Sequence, residues 1–139
     1  MTLFKRASRS TVGESTLAIP AAGINTEGVY PWANYVDTVV PGNSMINYIF
    51  YTVPTGYNLY WGNAIGSTTL DGIYKVLYDE DGYQFISFNV MCYNQVTESA
   101  ASTAFLGENA NIGVTIFNYN DLEVTFTLSA WGYLRDLKV

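Results

Sequence analysis

Apolar and polar residues alternate with a period of two over most of this chain, most plainly towards its C-terminal end. Leu122, Val124, Phe126, Leu128, Ala130 and Leu134 alternate with Glu123, Thr125, Thr127, Ser129, Trp131 and Tyr133. Successive side chains of a strand point to opposite faces, so the first set faces a core and the second faces outward. A slip of one residue would exchange the two sets, which fixes the register. Met45–Val53 is apolar on both faces, with Met45, Ile49, Tyr51 and Val53 on one and Ile46, Tyr48 and Phe50 on the other. Such a strand is central in a sheet or packs against a second subunit. It runs into Val53-Pro54-Thr55-Gly56, where Pro54 fixes φ for the first corner of a turn and Gly56 can take a positive φ. The strand that leaves lines one face with Tyr57, Leu59, Trp61 and Ile65, and the pattern reads the two strands as a pair. Gly62 and Gly66 weaken the second strand and mark candidate bulges.

Ile73–Asp79 pairs with Tyr83–Cys92 across Asp79-Glu80-Asp81-Gly82, because Asp-Gly in a short polar loop is a hairpin signal. Ile112–Phe117 reads as a strand, followed by a turn over Asn118–Asp121, and Tyr93–Thr103 reads as a long polar loop. The first third is less regular. Thr16–Pro20 could be a short edge strand ended by proline. Ala21–Asn43 holds Gly23, Gly28, Pro31, Pro41 and Gly42 and reads as extended loop, yet Val29, Tyr30, Trp32, Tyr35, Val39 and Val40 require it to lie against something. The resulting plan is an extended N-terminal arm and apolar loop over residues 1–43, then a body over 44–139. Strands recurring every 8–12 residues make that body an all-β antiparallel sandwich or barrel of about eight strands. The strand order stays open, since jelly-roll and immunoglobulin-like sandwiches share this count.

Composition changes the picture in three ways. Only 13% of residues are charged while 16% are aromatic, including 12 tyrosines. Tyr and Trp are enriched at interfaces, so the chain fits a subunit covered by neighbours. The net charge of −6 is unevenly placed. Lys5, Arg6 and Arg9 form a basic start with no acid among them, whereas Lys75 is the only base from Ser10 to Leu134. An acidic body disfavours nucleic acid, because phosphate contacts need clustered Lys and Arg. No run approaches ~18 apolar residues, which argues against a membrane-spanning helix. The basic start is followed by no apolar core of a secretory signal.

Candidate chemistry is thin. The chain has no histidine, which excludes Ser-His-Asp and Cys-His catalysis and the usual zinc sites. No phosphate-binding glycine loop is present. A paired-carboxylate glycosidase is the remaining enzymatic reading, and it is weak because several acids fall in turns; no enzyme and no cofactor are expected. Asp79, Glu80 and Asp81 could offer oxygens to calcium, but one turn supplies few of the six to eight needed. Cys92 lies on an apolar face and reads as a small core residue. Surface tyrosines with Trp131 could stack on sugars, with cross-strand pairing or a subunit contact preferred.

Tyr51-Thr52-Val53-Pro54-Thr55-Gly56-Tyr57-Asn58-Leu59-Tyr60, Asn111–Asn118 (NIGVTIFN) and Thr127–Leu134 (TLSAWGYL) together resemble small jelly-roll structural proteins of tailed bacteriophages, over about Met45–Leu134. The resemblance implies a jelly-roll sandwich that commonly forms homotrimers. Its first functional expectation is a capsid decoration (cement) protein on the outer surface of the virion, assembled in the host cytoplasm and bridging major capsid protein subunits. Leu3, Phe4, Lys5, Arg6 and Arg9 would form the arm that contacts the coat. Tyr30, Trp32, Tyr35, Tyr48 and Tyr51 would lie at subunit interfaces. The second expectation is a head-fibre or tail-tip module that binds a receptor or glycan. Apart from the resemblance, a third reading is a calcium-dependent β-sandwich lectin or adhesin.

Overall fold

The computed structural model describes residues 5–6, 10–11, 28–92, 98–101 and 105–138, with side chains described for 28–85 and 105–138. Among the described residues the chain forms strands and no helix. The strands are β1 (Lys5–Arg6), β2 (Ser10–Thr11), β3 (Val29–Val40), β4 (Ser44–Thr52), β5 (Tyr57–Thr68), β6 (Gly72–Glu80), β7 (Tyr83–Cys92), β8 (Glu98–Ala101), β9 (Phe105–Leu106), β10 (Asn111–Asn118) and β11 (Val124–Asp136). The first sheet runs β4-β10-β6-β7, with β1 and β2 laid in succession along the outer edge of β4. The second runs β3-β11-β5, and β8 and β9 share the edge beside β5. Pairs within the body are antiparallel; β1 and β2 run parallel to β4. With β8 and β9 taken as one interrupted strand, the body is four strands on four. Successive strands from β3 to β6 alternate between the sheets, which is the jelly-roll wrap and excludes the immunoglobulin-like order.

This wrap corrects the reading of β4 and β5 as a pair, because they lie in opposite sheets. Val53–Gly56 is a corner from one sheet to the other. Tyr57 N donates to Pro54 O at 3.2 Å, so Pro54 opens the turn while Thr55 and Gly56 form its corners. Gly56 has φ +89°, the left-handed value that a side chain would strain. Val53 is fully buried, and its backbone is tied on both sides to the β9–β10 loop: Val53 N donates to Ala110 O, and Asn109 N donates to Val53 O, each at 2.9 Å. The β6–β7 hairpin has the expected form. Glu80 pairs with Tyr83 across Asp81 and Gly82, whose φ values of 48° and 95° fit a two-residue type I′ turn.

Two bulges change the inward phase of β4 and of β5, and the first explains why β4 looks apolar on both faces. Opposite β10, Ile112 pairs with Tyr51 and Gly113 with Ile49, so Phe50 has no partner across. The inward phase of β4 therefore changes there: Tyr48 and Phe50 are buried before the step, Tyr51 and Val53 after it. The amide of Asn34, itself buried on β3, donates to the Phe50 carbonyl at 2.9 Å and ties the two sheets together. On β5 the extra residue is Gly62, because Trp131 pairs with Asn63 and Gly132 with Trp61. Leu59 and Trp61 are buried before it and Ala64 after it, which places Ile65 on the face opposite to the expected one. A Cβ on Gly132 would sit 2.1 Å from Tyr60 O, so this crossing requires glycine.

The segment read as an apolar loop is in large part a strand. β3 pairs with β11 from Val29↔Arg135 to Val40↔Val124. Trp32, Asn34, Val36, Thr38 and Val40 point inward, alternating with exposed Pro31, Ala33, Tyr35, Asp37 and Val39. Pro31 sits on an edge strand, where its missing N–H is tolerated. The loop read over Tyr93–Thr103 likewise contains β8. The Thr16–Pro20 edge strand lies outside the described residues. Leu122, expected inward, is exposed because β11 begins two residues later.

One buried side chain holds an end of the sandwich. Asn118 donates from Nδ2 to the carbonyls of Val40 (3.3 Å), Pro41 (3.1 Å) and Leu122 (2.9 Å). Its Oδ1 accepts from Asn120 N at 2.9 Å. Asn43 N donates to Asn120 O at 2.7 Å, so the β3–β4 and β10–β11 connections form one clasp.

Candidate interaction surface

The interior between the sheets is a cluster of large rings. Trp61 lies 5.0 Å from Tyr78, 5.3 Å from Phe85 and 5.7 Å from Trp32, centroid to centroid. Trp32 also meets Tyr51 at 5.1 Å, and Phe50 meets Tyr78 edge-on at 5.4 Å. Trp32, Tyr48 and Tyr51 are only 4%, 1% and 5% exposed. This corrects their assignment to a subunit interface: they are core residues of the chain itself and offer no surface to a neighbour. The bulge at Phe50 and the strand character of residues 29–40 turned them inward. Burial raises the Tyr48 hydroxyl well above its ordinary value. It raises Tyr51 to about 12, a rise partly offset by the neighbouring Trp32 indole N–H. Burial, reinforced by the nearby Tyr48, does the same to Tyr78.

The other two residues of that set have surface. Tyr30 is half-buried and meets Tyr57 edge-on at 6.5 Å. Tyr35 is 59% exposed on the outer face of the β3-β11-β5 sheet. Its neighbours there are Pro31, Ala33 and Val39 on β3, Trp131 and Tyr133 on β11, Tyr60 on β5 and Phe105 on β9. Tyr60 stacks on Tyr133 at 4.7 Å with 9° between ring planes, and Phe105 meets Tyr60 edge-on at 5.2 Å. Tyr60 and Tyr133 therefore stand across the sheet with their faces turned to each other. Trp131, 41% exposed, has no ring packed on it among the described residues. The acid in this face is already engaged. Asp37 accepts from Thr127 Oγ1 at 2.5 Å and from Tyr35 Oη at 2.8 Å. These two bonds hold the Asp37 carboxyl below its ordinary range, and the bond to Asp37 raises the Tyr35 hydroxyl.

The remaining candidates are placed as follows. Lys5 and Arg6 form β1, with Lys5 opposite Ser44 and Arg6 opposite Met45, so the basic segment is tied at this point to the chain's own β4 edge. Leu3, Phe4 and Arg9 lie outside the described residues. In the Asp79–Gly82 turn, Asp79 Oδ1 accepts from Gly82 N at 2.9 Å, which commits that oxygen to the hairpin. Among the described residues no group of three or more Asp, Glu, Cys or His side chains is placed to hold a metal. An open recess beside the turn is lined, among the described residues, by Ile49, Asp81, Gly82 and Asn111, which add no acid beyond the turn's own Asp81. The side chain of Cys92 lies outside the described set. Sequence reasoning missed Phe105 and Val39 as members of the exposed face; the alternation of β11 had flagged Trp131 and Tyr133.

In fold the chain is similar to a chain of the cyanophage Pam1 capsid asymmetric unit, at 12% identity over 86% of this chain and 94% of that one, with a TM-score of 0.55. Weaker likenesses include a chain of Bacillus endospore appendages, described as disulfide-linked pili (14% identity, 88% and 99% covered, TM-score 0.48), and a CBM4 structure (11% identity, 77% and 94% covered, TM-score 0.42). The capsid likeness shows a shared jelly-roll architecture. No protein-family model matches this sequence, and no curated protein sequence matches it.

Proposed function

We propose that this chain is a virion structural protein, a capsid decoration (cement) protein that sits on the outer surface of the shell and bridges major capsid protein subunits. The observation that carries the reading is the near full-length agreement of its jelly roll with a chain of a phage capsid. The basic start of an otherwise acidic chain supports it, as does the outer sheet face rich in exposed aromatic side chains. The work of such a protein is burial of area at seams, with no bond made or broken. The coat contact falls to the basic segment containing Lys5 and Arg6, at the edge of β4, with Leu3, Phe4 and Arg9 beside them in sequence.

The test is reconstitution on undecorated shells of the same virus. The chain should bind to saturation at a fixed ratio to coat protein and raise the temperature at which the shells open. Leu3→Ser with Phe4→Ser should lower occupancy while leaving the melting curve of the free chain unchanged. Equal occupancy of that double variant would remove the arm from the contact. Shells that take up no chain, or take it up without gaining stability, would overturn the cement role. The glycan-binding alternative draws less support, because Tyr60 and Tyr133 spend their faces on each other instead of offering them to a sugar ring.

A further inference from the structure

We propose that the outer face of the β3-β11-β5 sheet pairs with the same face of a second copy about a two-fold axis that crosses β11 at Trp131. This goes beyond the cement reading and does not rest on it. It also differs from the three-fold association implied by the resemblance.

Three observations lead to it. The face is large enough. β3, β5 and β11 span 12, 12 and 13 residues. Three such strands cover about 40 Å by 14 Å in plan, and side-chain relief brings that towards the ~800 Å² per partner of a standard interface. The face is also nearly neutral on an acidic molecule. Among the described residues, the charges at its strand positions are Asp37 and Arg135. Two copies with the same net negative charge meet at least cost where charge is sparse.

The third observation is the placement of that pair. Asp37 lies opposite Thr127, which is four residues before Trp131, and Arg135 lies four residues after it. In an isologous contact a residue i that meets j is matched by j meeting i. A two-fold axis lying in the interface and crossing β11 at Trp131 sets the Thr127 row of one copy over the Arg135 row of the other. Asp37 is one strand, about 5 Å, to the side of that row, within reach of an arginine side chain. The contact then carries two Asp37–Arg135 pairs, one on each side of the axis. Trp131 meets its own counterpart at the centre, and Tyr35 faces the Pro31 and Tyr133 row of the partner. Asp37 comes to this contact already held by Thr127 and Tyr35, so its carboxylate is pre-oriented.

The experiment is sedimentation velocity on the full chain across a concentration series, with charge reversals at the two positions. The wild type should sediment as a dimer that dissociates on dilution. Asp37→Arg and Arg135→Asp should each raise the dimer Kd by about tenfold or more, because each sets like charges across the axis. The double reversal should return the Kd to within about threefold of wild type, since it restores both pairs with their signs exchanged. Trp131→Ser should weaken association without moving the denaturation midpoint measured at a concentration where both proteins are monomeric, which separates lost contact from lost folding. A wild type that stays monomeric at all concentrations, a trimer, or a double reversal as weak as the single ones would each overturn the proposal.

Discussion

The β3-β11-β5 sheet carries aromatic residues on both faces, and the two faces use them differently. Inside, Trp32 and Trp61 join Tyr51, Tyr78, Phe50 and Phe85 in a cluster where rings meet at tilted and edge-on angles. Outside, Tyr60 and Tyr133 stack flat, Trp131 has no ring on it among the described residues, and Tyr35 hydrogen-bonds to an acid beside it. The residue types are the same. The difference is set by a one-residue step in the backbone: Gly62 inserts itself into β5, so that Trp61 turns in while Tyr60 stays out and stacks on Tyr133. Composition alone therefore does not separate a core ring from a surface ring in this chain.

The comparison breaks most sharply at the two tryptophans. Trp61→Ala should cost about 3–5 kcal/mol by loss of burial and the cavity left behind. Trp131→Ala should change folding stability by no more than ~0.5 kcal/mol when both proteins are diluted to monomers. Urea unfolding of both variants checks the pair, and comparable losses would mean that the outer face is structural. Next comes the crossing that keeps the faces apart. Gly132→Ala should cost about 1–3 kcal/mol, because the new methyl must displace the Tyr60 backbone. A cost near zero would show that the bulge yields easily. Asn118→Ala should cost a similar ~1–3 kcal/mol, since three backbone carbonyls lose their donor. Faster amide exchange confined to the clasp would locate that loss.

The two faces also differ in alkaline titration. The inner tyrosines 48, 51 and 78 have raised pKa values in the folded state. Above pH 10 the unfolded chain releases these protons and the folded chain keeps them, so stability falls as pH rises. The contribution is whole below pH 10 and is lost progressively from there, through about 12 for Tyr51. Each such group contributes a slope of about 1.4 kcal/mol per pH unit in that window. Denaturation midpoints taken between pH 9 and 12 check it, and Tyr51→Phe should flatten the decline. A midpoint that holds steady over that range would contradict the burial of these hydroxyls.

Much of the architecture was legible in the residues, and the misses have physical causes. β11 was readable because its inward residues are apolar through Ala130 and Leu134, and its bulge lies on the neighbouring strand. The hairpin was readable because Asp81 and Gly82 are among the few residues that accept its φ values. β3 hid behind its own core: Asn34 and Thr38 occupy inward positions, so the alternation never appears as apolar and polar. Asn34 is inside because the Phe50 carbonyl needs a donor, a requirement created by a bulge on another strand. Tyr48 and Tyr51 were taken for surface because the same bulge lets both phases of β4 face inward. The exposed face was half legible. Trp131 and Tyr133 announced themselves on β11, but their companions come from strands whose phase depends on Gly62 and on β3 being a strand at all.

The place of β11 has a further consequence, for the order in which the molecule can be made. It lies between β3 and β5, pairing along its length with both, yet it is synthesised after each of them. Likewise β10 fills the space between β4 and β6. A nascent chain that has emerged only as far as β9 lacks the strand that joins β3 to β5 and the strand that joins β4 to β6. The β6–β7 hairpin can form early, because its strands are adjacent in sequence. The rest must wait until segments up to about a hundred residues apart meet, a topology that folds in milliseconds to seconds and not in microseconds. The closing step is the insertion of β11 between two strands that precede it in the chain, so the sandwich cannot close before β11 has emerged.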